Sequence, residues 1–145
     1  TRPAARTKTC RYAGSWRRAA ARDGPGRPDP APDLLAPTPL HPRRLAWRGF
    51  NQSLELARLL GRDIGAPVAP RALTRLRDTV PQSSLPGHER RANVTGAFAA
   101  ALALVAGRRV LLVDDVMTTG ATVETAALAL RRAGAVRVDV AVAAR

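Results

Sequence analysis

The sequence predicts a doubly wound α/β domain with a mostly parallel sheet, and three observations carry that prediction. Val110 to Val113 is an unbroken apolar run without polar alternation, the pattern of a strand covered on both faces of a parallel sheet. From Thr122 the period changes: Val123, Ala126, Ala127 and Leu130 recur at helical spacing, Arg131 and Arg132 fill the last turn, and Gly134 follows as a stop. Earlier in the chain the same order of strand, loop and helix occurs over residues 33 to 61.

Taken in order, residues 1 to 32 are rich in Arg, Ala, Pro and Gly and show neither a helical face nor strand alternation. They are predicted to be a poorly ordered basic segment, set apart from a folded domain at 33 to 145. Tyr12 and Trp16 lie there among Arg11, Arg17 and Arg18, a composition that suits stacking and charge neutralisation on single-stranded nucleic acid. A solvated tail is the plainer alternative. Asp33 to Ala36 predicts a brief, weak strand, and the prolines after it predict an extended loop over 37 to 44. Asn51 is a candidate N-cap for a helix with Leu54, Ala57 and Leu60 on its apolar face and Gly61 as its end.

Pro67 to Pro70 predicts a short strand and Ala72 to Leu76 a short helix. Residues 77 to 98 form a long polar stretch between apolar elements, and long ordered loops of this kind are usually functional lids. Phe98 to Ala106 fits strand and helix equally. Val136, Val138, Val140 and Val142 alternate with Arg137, Asp139 and Ala141, which predicts a strand with one solvated face near a sheet edge.

Bulk properties narrow the class. One domain fits 145 residues, and with 46% apolar but only 3% aromatic residues the core must be built from Ala, Val and Leu. The net charge of +13 is densest at the amino end, where residues 1 to 50 carry 11 Lys and Arg against 3 acids. Such an excess attracts nucleic acid or small polyanions alike. Cys10, the single cysteine, excludes an internal disulfide and a Cys-rich zinc site. The longest apolar stretch, residues 97 to 106, is about half the ~20 residues a membrane helix needs. The opening residues lack the basic, apolar and small-residue order of a signal peptide, so a cytoplasmic location is the expectation.

The candidate site is the stretch Val110 to Thr122. Asp114 and Asp115 fall at the carboxyl end of the predicted strand, where open α/β sheets bind ligands. Thr118, Thr119, Gly120, Ala121 and Thr122 then run into a helix start, offering backbone N–H groups, hydroxyls and the positive end of a helix dipole to a phosphate. Ionised carboxylates only accept hydrogen bonds, so two in a row suit a diol that donates two. A diol beside a phosphate describes a ribose 5-phosphate. A buried strand whose acids are merely solvated at a turn is the alternative.

At these residues the chain resembles the type I phosphoribosyltransferases, whose signature is four apolar residues, two acids, an apolar residue and a Thr/Ser-Gly loop. The resemblance implies that fold, with helices on both faces of the sheet and a flexible hood. It also implies Mg²⁺-complexed phosphoribosyl pyrophosphate as ligand, with Asp114 and Asp115 on the ribose and Thr118, Thr119, Gly120, Ala121 and Thr122 on the 5-phosphate. The strings Pro-Leu-His-Pro-Arg-Arg-Leu and Arg-Gly-Phe-Asn-Gln narrow the resemblance to the ComF branch, linked to bacterial competence and DNA uptake. By that likeness residues 39 to 44 form a pyrophosphate loop, with Leu40, His41, Arg43 and Arg44 at the leaving group. The hood would bring Arg77, Arg90 and Arg91 over it, with no metal ligand from the protein itself. Members begin with a cysteine-rich zinc module; with Cys10 alone, zinc binding is not carried over.

The implied activity is transfer of the phosphoribosyl group to an unidentified acceptor with release of pyrophosphate. The alternative is a non-catalytic accessory protein that binds phosphoribosyl pyrophosphate and single-stranded DNA. The residues leave the acceptor and the oligomeric state open.

Overall fold

The structure, a computed structural model, describes residues 9–11, 31–77, 96–116 and 120–144. Among these the elements are β1 (Thr9–Arg11), β2 (Leu34–Pro37), α1 (Pro42–Arg48), α2 (Gln52–Ile64), β3 (Leu73–Arg75), β4 (Phe98–Ala100), α3 (Leu102–Val105), β5 (Arg109–Val116), α4 (Ala121–Arg132) and β6 (Arg137–Ala144). Four strands make one all-parallel sheet in the order β1-β6-β5-β2, while β3 and β4 form a separate antiparallel pair.

The apolar run at 110 to 113 does what its lack of alternation predicts. Successive residues of a strand point to opposite faces, and here both faces are covered. Val110 and Leu112 join one apolar cluster with Val123, Ala126 and Leu130 of α4; Leu111 and Val113 join a second with Ala57 and Leu60 of α2. The core is Ala, Val and Leu, with Phe98 the one buried aromatic among the described residues.

An ion pair sets the register where β2 and β5 begin. Arg109 donates from Nη2 to Asp33 Oδ1 at 2.7 Å, and from its backbone N and Nε to Asp33 Oδ2 at 2.8 and 3.1 Å. The Asp33 amide returns a bond to the Arg109 carbonyl at 2.8 Å. Hydrogen bonding to Arg109 holds the Asp33 carboxyl below its usual range, at about 2. Leu34 then pairs with Val110 and Pro37 with Val113.

Several expectations change at this level. β2 is not weak: all four of its residues are buried, Leu34 and Ala36 in the cluster under α4 and Leu35 in the cluster under α2. Beyond it, Leu35 N donates to Pro67 O at 2.9 Å and Ala69 N to Leu35 O at 2.8 Å, so the strand expected at 67 to 70 is a parallel bridge at Val68. The extended loop expected through residue 44 gives way to α1 at Pro42. Proline at the first helical position lacks only an N–H that has no helical partner there, and His41 caps the helix, its Nδ1 accepting from Arg43 N at 3.3 Å.

α2 runs through Gly61 to Ile64 and ends at Gly65, which has φ 78°. Gly61 is instead a close approach, since a Cβ there would lie 2.9 Å from the Ala66 carbonyl oxygen and 3.0 Å from Val68 Cγ2. The helix expected at 72 to 76 is strand β3, where Leu73 and Arg75 are buried and Thr74 is exposed, an alternation too short to read from sequence. Arg75 lies over Phe98 of the paired strand, its guanidinium carbon 5.4 Å from the ring centroid. The ambiguous stretch from Phe98 is both things in turn, β4 and then α3.

β6 lies one strand in from the sheet edge, as expected, because β1 pairs along its outer side, Thr9 with Val140 and Arg11 with Val142. That puts three residues of the basic amino-terminal segment in the sheet, against the expectation that it lacks strand structure; Tyr12, Trp16, Arg17 and Arg18 lie outside the described residues. No helix among the described residues is long and apolar enough to cross a membrane.

Replacing Gly61 tests the packing of α2 on the sheet. Alanine is intrinsically the better helix residue by about 0.5–1 kcal/mol, yet its Cβ meets backbone, so Gly61→Ala should lose about 1–3 kcal/mol in urea unfolding. A variant as stable as the parent would show that this contact is loose.

Candidate functional site at the carboxyl ends of β2 and β5

The connections leaving β2 and β5 wind in opposite directions. From β2 the chain crosses by α1 and α2 to residues 67–69 on the outer side of β2, whereas from β5 it crosses by α4 to β6. The carboxyl ends of β2 and β5 therefore flank the point where the winding reverses, the crevice at which open α/β sheets bind ligands. Asp114 and Asp115 sit there.

The two acids are not equivalent. Asp114 is 6% exposed, and its Oδ1 accepts from Ser53 Oγ at 3.2 Å and from the Asp115 backbone N at 3.0 Å. Burial pushes the Asp114 carboxyl up to about 7, and the neighbouring Asp115 carboxylate adds to the rise; the bonds from Asp115 N and Ser53 oppose it. Asp115 is half-buried.

Asn51 builds the other wall. Its Oδ1 accepts from Ser53 N at 3.0 Å, which caps α2 as the sequence predicts, while its Nδ2 donates to the Thr38 carbonyl at 3.1 Å. Thr38 N in turn donates to Val113 O at 2.8 Å, so the end of β2, the start of α2 and the end of β5 form one hydrogen-bonded unit. Thr38 is 5% exposed, and its Oγ1 is buried without a hydrogen-bond partner.

On the far side of β5, Gly120 precedes α4 in the left-handed region at φ 83°, with no side-chain cap on the helix. A glycine takes that conformation without Cβ strain. Ala121 is buried and Thr122 half-buried; Thr118 and Thr119 lie outside the described residues. Leu40, His41 and Arg44 are half-buried and Arg43 is exposed where the chain enters α1. Arg77 is exposed after β3, whereas Arg90 and Arg91 lie outside the described residues. Among the described residues no group of three or more His, Cys, Asp and Glu side chains could hold a metal ion. A separate groove of about 610 Å³ between α4 and the β4–α3 segment, lined by Phe98, Leu102, Glu124 and Leu128, includes neither acid.

Ser53 and Thr38 are not among the site residues the sequence picks out. Ser53 reads as an ordinary first-turn residue behind a capping Asn51, and its approach to an acid 61 residues away is purely tertiary.

Residues 62–145 match the family model for the phosphoribosyl transferase domain. The chain is 43% identical over 109 residues to the DNA utilization protein YhgH of Escherichia coli O157:H7, a match covering 75% of this chain and 48% of that protein. It is 35% identical over 111 residues to Competence protein F of Haemophilus influenzae, again over 75% and 48% of the two chains. The chain thus spans about half the length of the curated relatives it matches. Among solved structures, glutamine phosphoribosylpyrophosphate amidotransferase from B. subtilis superposes with TM-score 0.56 at 23% identity, over 88% of this chain and 25% of that one. An allosteric regulatory enzyme of purine biosynthesis does so with the same score and identity, over 88% and 24%.

A carboxyl whose folded pKa is raised favours folding when protonated, and that contribution is lost as pH rises through the folded value. Between about pH 4, the unfolded value, and about 7, the folded one, Asp114 therefore becomes progressively destabilising. Asp114→Asn keeps an oxygen for Ser53 and should raise stability at pH 8 by about 1–3 kcal/mol, with the gain vanishing below pH 4 in thermal unfolding followed against pH. A pH-independent difference would mean that Asp114 titrates normally.

Proposed function

The chain belongs to the phosphoribosyl transferase domain family, and from that premise we propose that it binds phosphoribosyl pyrophosphate between the carboxyl ends of β2 and β5 and transfers the phosphoribosyl group to a nucleophilic acceptor. The observation that carries this reading is the position of Asp114 and Asp115, two carboxylates side by side at the reversal of winding, with the amino terminus of α4 following them. Carboxylates accept from the ribose diol; the start of α4, with Gly120, Ala121 and Thr122 and the preceding Thr118 and Thr119, receives the 5-phosphate.

In the transfer, the bond between the anomeric carbon and the pyrophosphate oxygen breaks as a bond to the acceptor forms, and negative charge builds on the leaving group. His41, Arg43 and Arg44 at the start of α1 supply donors and positive charge there, with Arg77, Arg90 and Arg91 arriving from the 77 to 98 segment. Mg²⁺ would enter on the ligand and offset pyrophosphate charge, keeping substrate oxygens and waters as its ligands. The chain's own contribution is positioning: the ribose held by acids fixed to a rigid strand end, the phosphate by a helix start.

A second reading has its own observation. α1 buries no residue, and Trp47 and Phe50, 85% and 52% exposed, stand among Arg43, Arg44 and Arg48. Exposed aromatics interleaved with cations suit single-stranded DNA, and relatives named for DNA utilization and competence favour that ligand. On this reading the domain senses phosphoribosyl pyrophosphate and holds DNA without transferring anything.

Calorimetric titration of phosphoribosyl pyrophosphate with Mg²⁺ should show saturable binding that weakens about tenfold or more in Asp114→Asn with Asp115→Asn; equal affinities would sink the assignment of the acids. Fluorescence titration with a single-stranded oligonucleotide should show salt-dependent binding, and Trp47→Ala with Phe50→Ala should weaken it about tenfold. Unchanged affinity in that variant would remove α1 from any DNA contact.

A further inference from the structure

We propose that Ser53 is a positioning residue of this site: from the first turn of α2 its hydroxyl holds one oxygen of Asp114, and so fixes the orientation in which that carboxyl meets a ligand. The inference rests on reading the paired acids as the ribose-binding pair.

Three features of Ser53 have no other purpose in the fold. It is 3% exposed, at a position in a helix where alanine would be the better former and an apolar side chain would suit the burial. Its hydroxyl is not needed to cap α2, because Asn51 Oδ1 already receives the Ser53 amide at 3.0 Å. It reaches instead across to Asp114 Oδ1 at 3.2 Å. With the Asp115 amide on the same atom at 3.0 Å, Oδ1 accepts two bonds, and the orientation of the Asp114 carboxyl is fixed from two sides.

The same bond couples the two halves of the site. Asn51 ties the start of α2 to the end of β2 through Thr38, and Ser53, two residues on, ties it to the end of β5. The α1–α2 segment with Arg43 and Arg44 is thereby held in step with the acids. Electrostatically the hydroxyl favours ionised Asp114 against its burial and against the charge of Asp115. The flanking strands present neutral neighbours, Thr38 and Val142.

The test uses Ser53→Ala, which removes the hydroxyl, and Ser53→Thr, which restores it. Carbon-13 NMR of the Asp114 side-chain carboxyl in the ligand-free protein should show its titration displaced upward by about one pH unit in Ser53→Ala and near the parent in Ser53→Thr. Binding of phosphoribosyl pyrophosphate with Mg²⁺, followed by calorimetry between about pH 6 and 9, should weaken in Ser53→Ala at neutral pH and recover toward the parent as pH rises, by the same displacement. A parent that binds while Ser53→Ala leaves both the titration and the binding profile unmoved overturns the role of Ser53 alone. A folded parent that binds no phosphoribosyl pyrophosphate at any pH overturns the ribose-binding reading, and the positioning role falls with it.

Discussion

A strand has no place for a charge along a run covered on both faces, and β5 obeys that constraint. Its residues 110 to 113 are all but inaccessible, packed on α4 from one side and α2 from the other. An uncompensated charge within that run would carry the full penalty of desolvation. The acids therefore come beyond that run, within the last three residues of β5, and the opposite winding of the crossovers from β2 and β5 opens a crevice beside them. Asp114 still lies partly inside the constraint. Its raised pKa is the cost of placing a second carboxylate against the core, a local instability of the kind that sites retain for function.

The surrounding bonds make sense as a way of holding that carboxylate. Asn51 and Ser53 use successive donors and acceptors of one helix start to join the ends of two parallel strands. At the other end of the same strands, Asp33 and Arg109 lock the register. β2 and β5 are thus fastened at both termini, and the crevice at their carboxyl ends inherits that rigidity.

Much of this is legible in the sequence where a pattern is long. Val110 to Val113 has no polar interruption, and the α4 pattern from Val123 to Leu130 carries a full helical period, so strand, acids and helix can be placed without coordinates. Asn51 as a cap is legible too, because capping chemistry is local. The failures are local rules overruled by tertiary contact. Gly61 reads as a helix stop, but it is glycine because Ala66 and Val68 lie against it. Pro42 reads as a helix breaker, but at the first position it is tolerated. Leu73 to Arg75 is too short to declare its period, and β1 has no signal of its own because its three residues gain strand geometry from β6. Ser53 was beyond reach, since nothing near it in the chain announces Asp114.

The central claim is that a ribose 5-phosphate unit sits between the ends of β2 and β5 with its diol on the paired acids. Backbone amide NMR of the protein titrated with ribose 5-phosphate, and separately with 2-deoxyribose 5-phosphate, tests it most directly. The account predicts shifts at Asp114, Asp115, Gly120 and Thr122 with the ribose compound, and a weaker response at the two acids with the deoxy compound, which offers one hydroxyl fewer. Equal responses to the two sugars, or shifts confined to α1 and the groove beside α4, would contradict it.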